Sequence, residues 1–258
     1  MPLRTLTLLR RYTGEAGKLV NDFYIPVLSS AHAYDRQAGY FDSSALVQIA
    51  AGLAAFIENA RHTTLPGRPP MRLITGTTWS PEDIEAYRLG VESLVGSLER
   101  TAVRRLEPTD AECHRLGLPL GWKPTEDQIA RDRLGALAWM VSAKLLEVKI
   151  ALPLDHNRQP LYPGQGGGLF HPKTGIVYDA GGDRLCFQGS VNETGAAWMR
   201  NREKFEVKRS WFGELDREDI QAEIDEFEKI WEGKDDGLLV SHPYAWLVSG
   251  SHDRPTRP

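Results

Sequence analysis

A histidine and a lysine stand two residues apart at His171 and Lys173, and the sequence Gly-Ser-Val-Asn follows at residues 189–192. Side chains alternate along a β-strand, so the imidazole and the ammonium would project from the same side of a strand. The glycine-rich stretch at residues 180–183 predicts a tight reversal that returns the chain as a partner strand. That reversal brings the serine and asparagine back towards the histidine. One hairpin can therefore surround a single phosphate with an imidazole, an ammonium, a hydroxyl and an amide.

The composition is that of an ordinary globular protein. The chain has 258 residues, of which 41% are hydrophobic and 26% charged, with a formal net charge of -4. This charge argues against a protein whose whole surface binds nucleic acid but leaves a local basic groove open. The sequence has no apolar run of the roughly 20 residues that a membrane-spanning helix needs. Cys113 and Cys186 lie outside any disulfide or zinc spacing, so we expect a cytoplasmic protein with reduced cysteines and no membrane contact.

Strand and helix signals alternate along the chain, which favours an α/β layer architecture with a largely parallel sheet. The Ser80-Pro81-Glu82-Asp83 sequence gives a strong helix start. We expect residues 106–126 to form an irregular connection and the glycine-rich residues 161–169 to form a flexible loop. The predicted strands are 34–41, 71–75, 146–152 and 203–211, and the predicted helices are 45–57, 81–98, 127–146 and 216–231.

The opening motif resembles the HKD motif of the phospholipase D superfamily, which consists of HxK, an acid and then GSxN. The matching residues are His171, Lys173, Gly189, Ser190 and Asn192. The usual spacing places the acid at Tyr178, and Asp179 stands one position later, where the resemblance implies a supportive role. Glu203, eleven residues after Asn192, matches the position from which family members orient the histidine.

Further segments resemble the phospholipase D-like nuclease domain at the front of bacterial helicases, many of them in phage-defence or restriction gene clusters. These segments are FYIPVL at 23–28, AGYFDSSAL at 38–46, RLITG at 72–76, GSVNET at 189–194 and FEVKRSW at 205–211. The resemblance spans residues 10–240. It implies a phospholipase D-like sandwich, a mixed and largely parallel sheet with helices on both faces. We expect one catalytic domain over residues 1–240 and a flexible tail over 241–258.

The sequence holds one HxK followed by GSxN, whereas phospholipase D-type chemistry needs two histidines at one phosphate. One of them attacks phosphorus when neutral, and the other, when protonated, donates to the leaving oxygen. The resemblance therefore implies a homodimer with the active site on its two-fold axis. Lys173, Ser190 and Asn192 would hold the phosphate oxygens, and Glu203 would accept a hydrogen bond from His171. This chemistry requires no metal and no cofactor.

The residues after the motif are rich in arginine, lysine and tryptophan and predict a substrate-binding strip. Its members are Trp198, Arg200, Arg202 and Lys204. Asp35, Arg36 and Asp42 could belong to a substrate rim, but helix caps and surface ion pairs explain them equally well. The favoured hypothesis is a DNA nuclease that forms a phosphohistidine on His171, with a helicase as an additional partner. The alternatives are a lipid phosphodiesterase and a non-catalytic DNA-binding or dimerisation module of a defence complex.

Overall fold

The computed structural model describes residues 1–63, 67–98, 110–122, 125–161, 168–192 and 202–243. The strands are β1 (Arg11–Glu15), β2 (Ala33–Ala38), β3 (Met71–Thr75), β4 (Leu146–Pro153), β5 (Lys173–Tyr178), β6 (Arg184–Gly189), β7 (Arg202–Arg209) and β8 (Leu238–Ser241). They form one sheet in the order β1-β7-β6-β5-β2-β3-β4-β8. The predicted strands are therefore present, and β1 and β8 are additional to them.

The sheet is mixed, but the expectation that it would be largely parallel is wrong. Among the described strands, only the β2–β3 and β3–β4 pairs are parallel, and the other five neighbouring pairs are antiparallel. The reason lies in the connections. A tight turn joins β5 to β6, and a tight turn can link only antiparallel strands, whereas the parallel pairs are joined through helices.

Three short helical segments near the N-terminus are a 3-10 turn at Leu3–Thr5, α1 (Ala16–Leu19) and a π-helical turn at Val20–Tyr24. The other helices are α2 (Ile25–Ser30), α3 (Ser44–Gln48), α4 (Ala50–Arg61), α5 (Pro81–Leu98), α6 (Asp110–Leu116), α7 (Glu126–Arg131), α8 (Arg133–Ser142) and α9 (Glu214–Trp231). None of the described helices is both long enough and apolar enough to cross a bilayer.

Local signals explain where several helices begin and end. The Ser80 hydroxyl accepts the Asp83 N–H at 3.0 Å, which confirms the predicted start of α5. The helix predicted over residues 127–146 is divided, because the Asp132 carboxylate accepts the Gly135 N–H and starts α8 as a new helix. The helix predicted over 45–57 is likewise divided, at Ile49, whose φ of -104° and ψ of 13° are not helical. Part of the expected irregular connection at 106–126 is helical, since α6 lies within it.

Both faces of the sheet are covered, as predicted. Neighbouring residues of β3, β5 and β6 alternate between two hydrophobic clusters, so Leu73 belongs to one cluster and Ile74 to the other. The larger cluster contains residues of α2, α4, α5 and α8 and forms the main core. The smaller cluster lies under α9 and contains Phe227, Ile230 and the free, buried Cys186.

An ionic network joins α9 to the centre of the sheet. Asp35 on β2 is fully buried and accepts hydrogen bonds from both Arg68 and Arg72. Arg72 also forms an ion pair with Glu228 of α9, at 2.5 Å. The Tyr178 hydroxyl donates to Asp35 at 3.0 Å. Asp35 therefore forms ion pairs inside the fold and does not belong to a substrate rim.

Candidate active site

The motif residues lie where four strand ends meet at one edge of the sheet. Ala38, the last residue of β2, pairs with Lys173, the first residue of β5. Gly189, at the end of β6, pairs with Phe205 near the start of β7. The hairpin predicted from the sequence is confirmed, with Thr174 of β5 opposite Gln188 of β6. This pairing brings the HxK segment and the GSxN segment to the same edge.

His171 and Lys173 are in direct contact. The Lys173 Nζ lies 2.9 Å from Nδ1 and 3.0 Å from Nε2 of the imidazole, and 3.2 Å from the His171 carbonyl oxygen. Partial burial lowers the pKa of His171, and the positive charge of Lys173 lowers it further. Both effects favour the neutral imidazole, which is the nucleophilic form.

The segment after β2 fixes the position of the imidazole. A Cβ atom on Gly39 would lie 2.4 Å from the His171 Cδ2, so only glycine leaves room for the ring here. The next residue, Tyr40, packs edge-on against that ring with 5.5 Å between centroids. Neither Gly39 nor Tyr40 is among the site residues predicted from the sequence. The signal was present, because both belong to the AGYF segment that carries the family resemblance.

Ser190 is held by β7. Its hydroxyl donates to the Glu203 carboxylate and accepts the Lys204 N–H at 3.1 Å, and its own N–H donates to the Lys204 carbonyl at 3.0 Å. A side chain on Gly189 would meet that carbonyl oxygen at 2.1 Å, so this close approach requires glycine. Glu203 is buried, and its contact with Ser190 brings the position predicted from its spacing to the motif.

The partner predicted for Glu203 is wrong in the described part of the chain. The Glu203 carboxylate accepts from Ser190, and no hydrogen bond joins it to His171 there. The imidazole nitrogens face Lys173 instead. The physical reason is the pairing of β6 with β7, which places the end of β6 directly beside Glu203.

Asn192 and Val191 contact β2 and the segment that follows it. The Asn192 Oδ1 accepts the Tyr40 N–H at 3.3 Å, which links the GSxN segment to the residue that packs on His171. The Val191 carbonyl accepts a hydrogen bond from the Arg36 guanidinium. Arg36 is fully buried, so the suggestion that it belongs to an exposed substrate rim is wrong.

Asp179 lies away from these residues, at the other end of β5. It is six positions after Lys173, which corresponds to about 20 Å along a strand. Its buried carboxylate accepts the backbone N–H groups of Leu3, Gly181 and Asp183 at 2.7–2.9 Å. Asp179 therefore stabilises the β5–β6 turn and the N-terminal segment, and it lies away from the motif that the resemblance implied it would support.

The predicted substrate-binding strip is described only in part. Trp198 and Arg200 lie outside the described residues, and Arg202 is the first residue of β7. Lys204 is exposed, but it follows Glu203 on a strand, so its side chain points away from the face that carries the Glu203 carboxylate. Lys204 reaches the site through its backbone contacts with Ser190.

Four of the other five described histidines have contacts away from this site. The backbone N–H of His32 donates to the Tyr178 carbonyl at the far end of β5. His62 lies 3.0 Å from Glu58, His156 lies 3.0 Å from Asn157, and His242 lies 3.6 Å from Glu147. Over the part of the chain that the structure describes, no group of three or more metal-ligating side chains is arranged to hold a metal ion.

This arrangement is suited to binding an anion beside a nucleophile. The Lys173 ammonium can neutralise a phosphate within reach of the neutral imidazole, and a positive group there would also stabilise the charge added on attack at phosphorus. The Ser190 hydroxyl and the Asn192 amide lie on the segment that faces the same edge. The geometry therefore fits nucleophilic substitution at a phosphate ester.

Comparisons with known proteins give structural similarity only. No protein-family model matches the chain, and no curated protein matches it. Among solved structures, NucT from Helicobacter pylori is similar at 13% identity and a TM-score of 0.42, covering 86% of this chain and 94% of NucT. Nuc from Salmonella typhimurium, a phospholipase D family member, is similar at 14% identity and a TM-score of 0.38, covering 90% of this chain and 97% of Nuc. Similarity at this level carries no argument about function, which has to come from the site.

Proposed function

We propose that the protein is a phospholipase D-like nuclease that hydrolyses phosphodiester bonds through a phosphohistidine on His171. The observation that carries this proposal is the contact of Lys173 with both nitrogens of the His171 ring, at 2.9 and 3.0 Å, beside the GSxN segment. An imidazole whose pKa is lowered by burial and by an adjacent ammonium is a competent nucleophile near neutral pH.

The reaction has two displacements at phosphorus. In the first, an imidazole nitrogen of His171 forms a bond to phosphorus, the bond to the leaving oxygen breaks, and that oxygen takes a proton from a second imidazole. In the second, water gives up a proton to the second imidazole and its oxygen attacks phosphorus, which breaks the nitrogen–phosphorus bond. Lys173 and Asn192 hold the non-bridging oxygens throughout, and the Ser190 hydroxyl, whose one proton goes to Glu203, joins them when that bond is exchanged.

The second imidazole is proposed to be His171 of a second copy of the chain. The supporting observations are that His171 is exposed at the sheet edge and that four of the other five described histidines, His32, His62, His156 and His242, have contacts outside the site. A two-fold axis at this edge would place two identical imidazoles at one phosphate. Refolded mixtures of wild-type and His171→Ala chains test this arrangement. Activity should follow the square of the wild-type fraction, and a linear dependence would contradict the shared site.

DNA is the proposed substrate, with a helicase of a defence or restriction system as a further partner. The resemblance of the FYIPVL and AGYF segments to helicase-associated nuclease domains supports both proposals. The basic residues after the motif support a nucleic-acid substrate. The decisive experiment incubates the purified protein with labelled DNA and RNA oligonucleotides, single- and double-stranded, in EDTA. Wild type and the matched control His62→Ala should cleave DNA, and His171→Ala should not.

Three results would contradict the proposal. Cleavage that EDTA abolishes would indicate metal-dependent chemistry in place of a phosphohistidine. Cleavage that survives His171→Ala would show that His171 is not the nucleophile. Hydrolysis of phosphatidylcholine vesicles without cleavage of any oligonucleotide would instead support a lipid phosphodiesterase.

A further inference from the structure

We propose that Arg36 is a positioning residue that holds the GSxN segment and Lys173 in the arrangement that binds phosphate. This inference rests on the proposed function and assigns a role to a residue that lies outside the phosphodiesterase motif. Arg36 is among the largest fully buried side chains of the described structure, at 0% exposure. A buried guanidinium is costly unless its surroundings compensate for lost hydration, so its presence requires an explanation.

The sheet places Arg36 directly below the site. It pairs with Gly175 of β5, while Ala38, two residues later on the same strand, pairs with Lys173. Residues two apart on a strand share a face, so Arg36 lies one step deeper than Lys173 on the same side of the sheet. No side chain at position 175 separates Arg36 from the neighbouring strands.

Phe187 supports the guanidinium from β6. The Arg36 guanidinium carbon lies 5.1 Å from the centre of the Phe187 ring. A planar guanidinium on an aromatic face gains a cation–π interaction and remains able to donate in its own plane. The same ring fills the space above Gly175, where a Cβ atom would lie 2.2 Å from the Phe187 Cζ. Arg36, Gly175 and Phe187 thus form one packed unit across three strands.

One hydrogen bond that Arg36 donates ends within the motif. Its Nη2 donates to the carbonyl of Val191, the residue between Ser190 and Asn192. Val191 is itself buried, at 3% exposure. This bond fixes the peptide that joins the two phosphate-binding side chains, so a change in Arg36 would be transmitted to both of them.

The charge of Arg36 also acts on the site. Burial lowers the pKa of Lys173, the positive charge of Arg36 lowers it further, and the negative charge of Glu203 on β7 opposes them. His171 is the other titratable group in contact with this ammonium. A fixed cation beneath an anion-binding site raises the affinity for phosphate, because its orientation requires no reorganisation on binding.

The test compares Arg36→Gln and Arg36→Lys with Arg72→Lys. Arg72 is the matched control because it is a buried arginine of the same sheet whose hydrogen bonds go to Asp35 and Glu228. The measurements are the melting temperature, the dissociation constant of tungstate as a phosphate mimic, kcat, KM, and the pKa of Lys173. The last is followed by NMR of ¹³C-methylated lysines, with the signal assigned through its loss in Lys173→Arg.

Arg36→Gln should raise the pKa of Lys173, weaken tungstate binding by at least tenfold and lower kcat. Arg36→Lys keeps the charge, so it should restore the pKa of Lys173 but not kcat, because its ammonium cannot reproduce the planar contact with Phe187 and Val191. It also provides a folded test if Arg36→Gln does not fold. Arg72→Lys should lower the melting temperature and leave the site measurements unchanged.

The inference is overturned if folded Arg36→Gln matches wild type in tungstate affinity and in the pKa of Lys173, or if Arg36→Lys, where it alone folds, matches wild type in tungstate affinity. It is also overturned if Arg72→Lys changes both as strongly, which would indicate a general effect on stability. These two measurements need no turnover. A wild-type protein that cleaves no nucleic acid would therefore refute the proposed function while leaving the Arg36 result to be judged on its own.

Discussion

Ser190 donates its hydroxyl to the buried carboxylate of Glu203, and this bond ties the GSxN segment at the end of β6 to the start of β7. The backbone of Lys204 forms two further hydrogen bonds with the same serine, from its N–H to the hydroxyl and from the serine N–H to its carbonyl. The serine is thus oriented by strand pairing before any phosphate arrives. Because its one hydroxyl proton goes to Glu203, the serine must exchange that bond to donate to a phosphate oxygen.

The Ser190–Glu203 bond predicts coupled substitutions. Ser190→Ala should destabilise the protein by about 1–3 kcal/mol, because a buried carboxylate loses a donor. In a Glu203→Gln background the same change should cost less, since a neutral amide tolerates burial better, with a coupling energy of about 1 kcal/mol. Urea unfolding of the four proteins measures it. Additive effects would show that the bond contributes nothing to stability.

The contact between Gly39 and His171 predicts a loss of activity without a loss of fold. In Gly39→Ala the new methyl group would collide with the His171 ring, which can rotate away at modest cost but then leaves its position beside Lys173. We expect kcat to fall at least tenfold while the melting temperature changes by a few degrees. Gly168→Ala is the control, because a Cβ atom at Gly168 has no neighbour within 4 Å. Equal activity of the two variants would contradict this role of Gly39.

The environment of His171 predicts a pH dependence. Burial and the Lys173 charge lower its pKa below the ordinary value of about 6.5, so the neutral nucleophile persists into mildly acidic solution. The acidic limb of kcat/KM should therefore have its midpoint below 6.5. At a pH between the two pKa values, His171 binds fewer protons in the native state than in the unfolded state. The free energy of unfolding therefore falls as the pH falls from about 6.5 through the pKa of the folded state. Titration of the His171 ring by NMR checks the direction of the pKa shift. A pKa at or above the ordinary value would refute the predicted lowering.

The position of Asp179 predicts a purely structural effect. Asp179→Asn keeps an acceptor but removes the negative charge that three backbone N–H groups share. The free energy of unfolding should fall by about 1–3 kcal/mol, because hydrogen bonds to charged groups are the stronger ones. At a temperature where the variant is fully folded, its kcat should equal that of wild type. A large fall in kcat under those conditions would return Asp179 to the catalytic site.

Local signals made part of this structure predictable. The cap at Ser80 specified α5, the run Met71–Thr75 specified β3, and the glycines after Asp179 specified the β5–β6 turn that brings the motif together. Each of these depends on neighbouring residues alone. The alternation of side chains likewise placed His171 and Lys173 on one side of the chain.

The remaining features depend on pairings between distant segments. Arg11–Glu15 becomes a strand by pairing with β7, far along the chain, and no local pattern identifies that partner. The hydrogen bond of Glu203 depends on the register of β7 against β6. Arg36 would be placed at the surface by its charge, and only the fold reveals the Phe187 ring and the Val191 carbonyl that allow its burial.

In the proposed reaction, His171 becomes covalently bonded to phosphorus. The reaction with a 5′-labelled or 3′-labelled oligonucleotide is stopped during turnover with a denaturant and without acid. The peptides of the protein are then analysed by mass spectrometry, which detects the adduct directly. We expect an acid-labile, alkali-stable adduct on the peptide that contains His171, formed in EDTA and absent from His171→Ala. Turnover without any adduct on this histidine, or an adduct on another residue, would contradict the account.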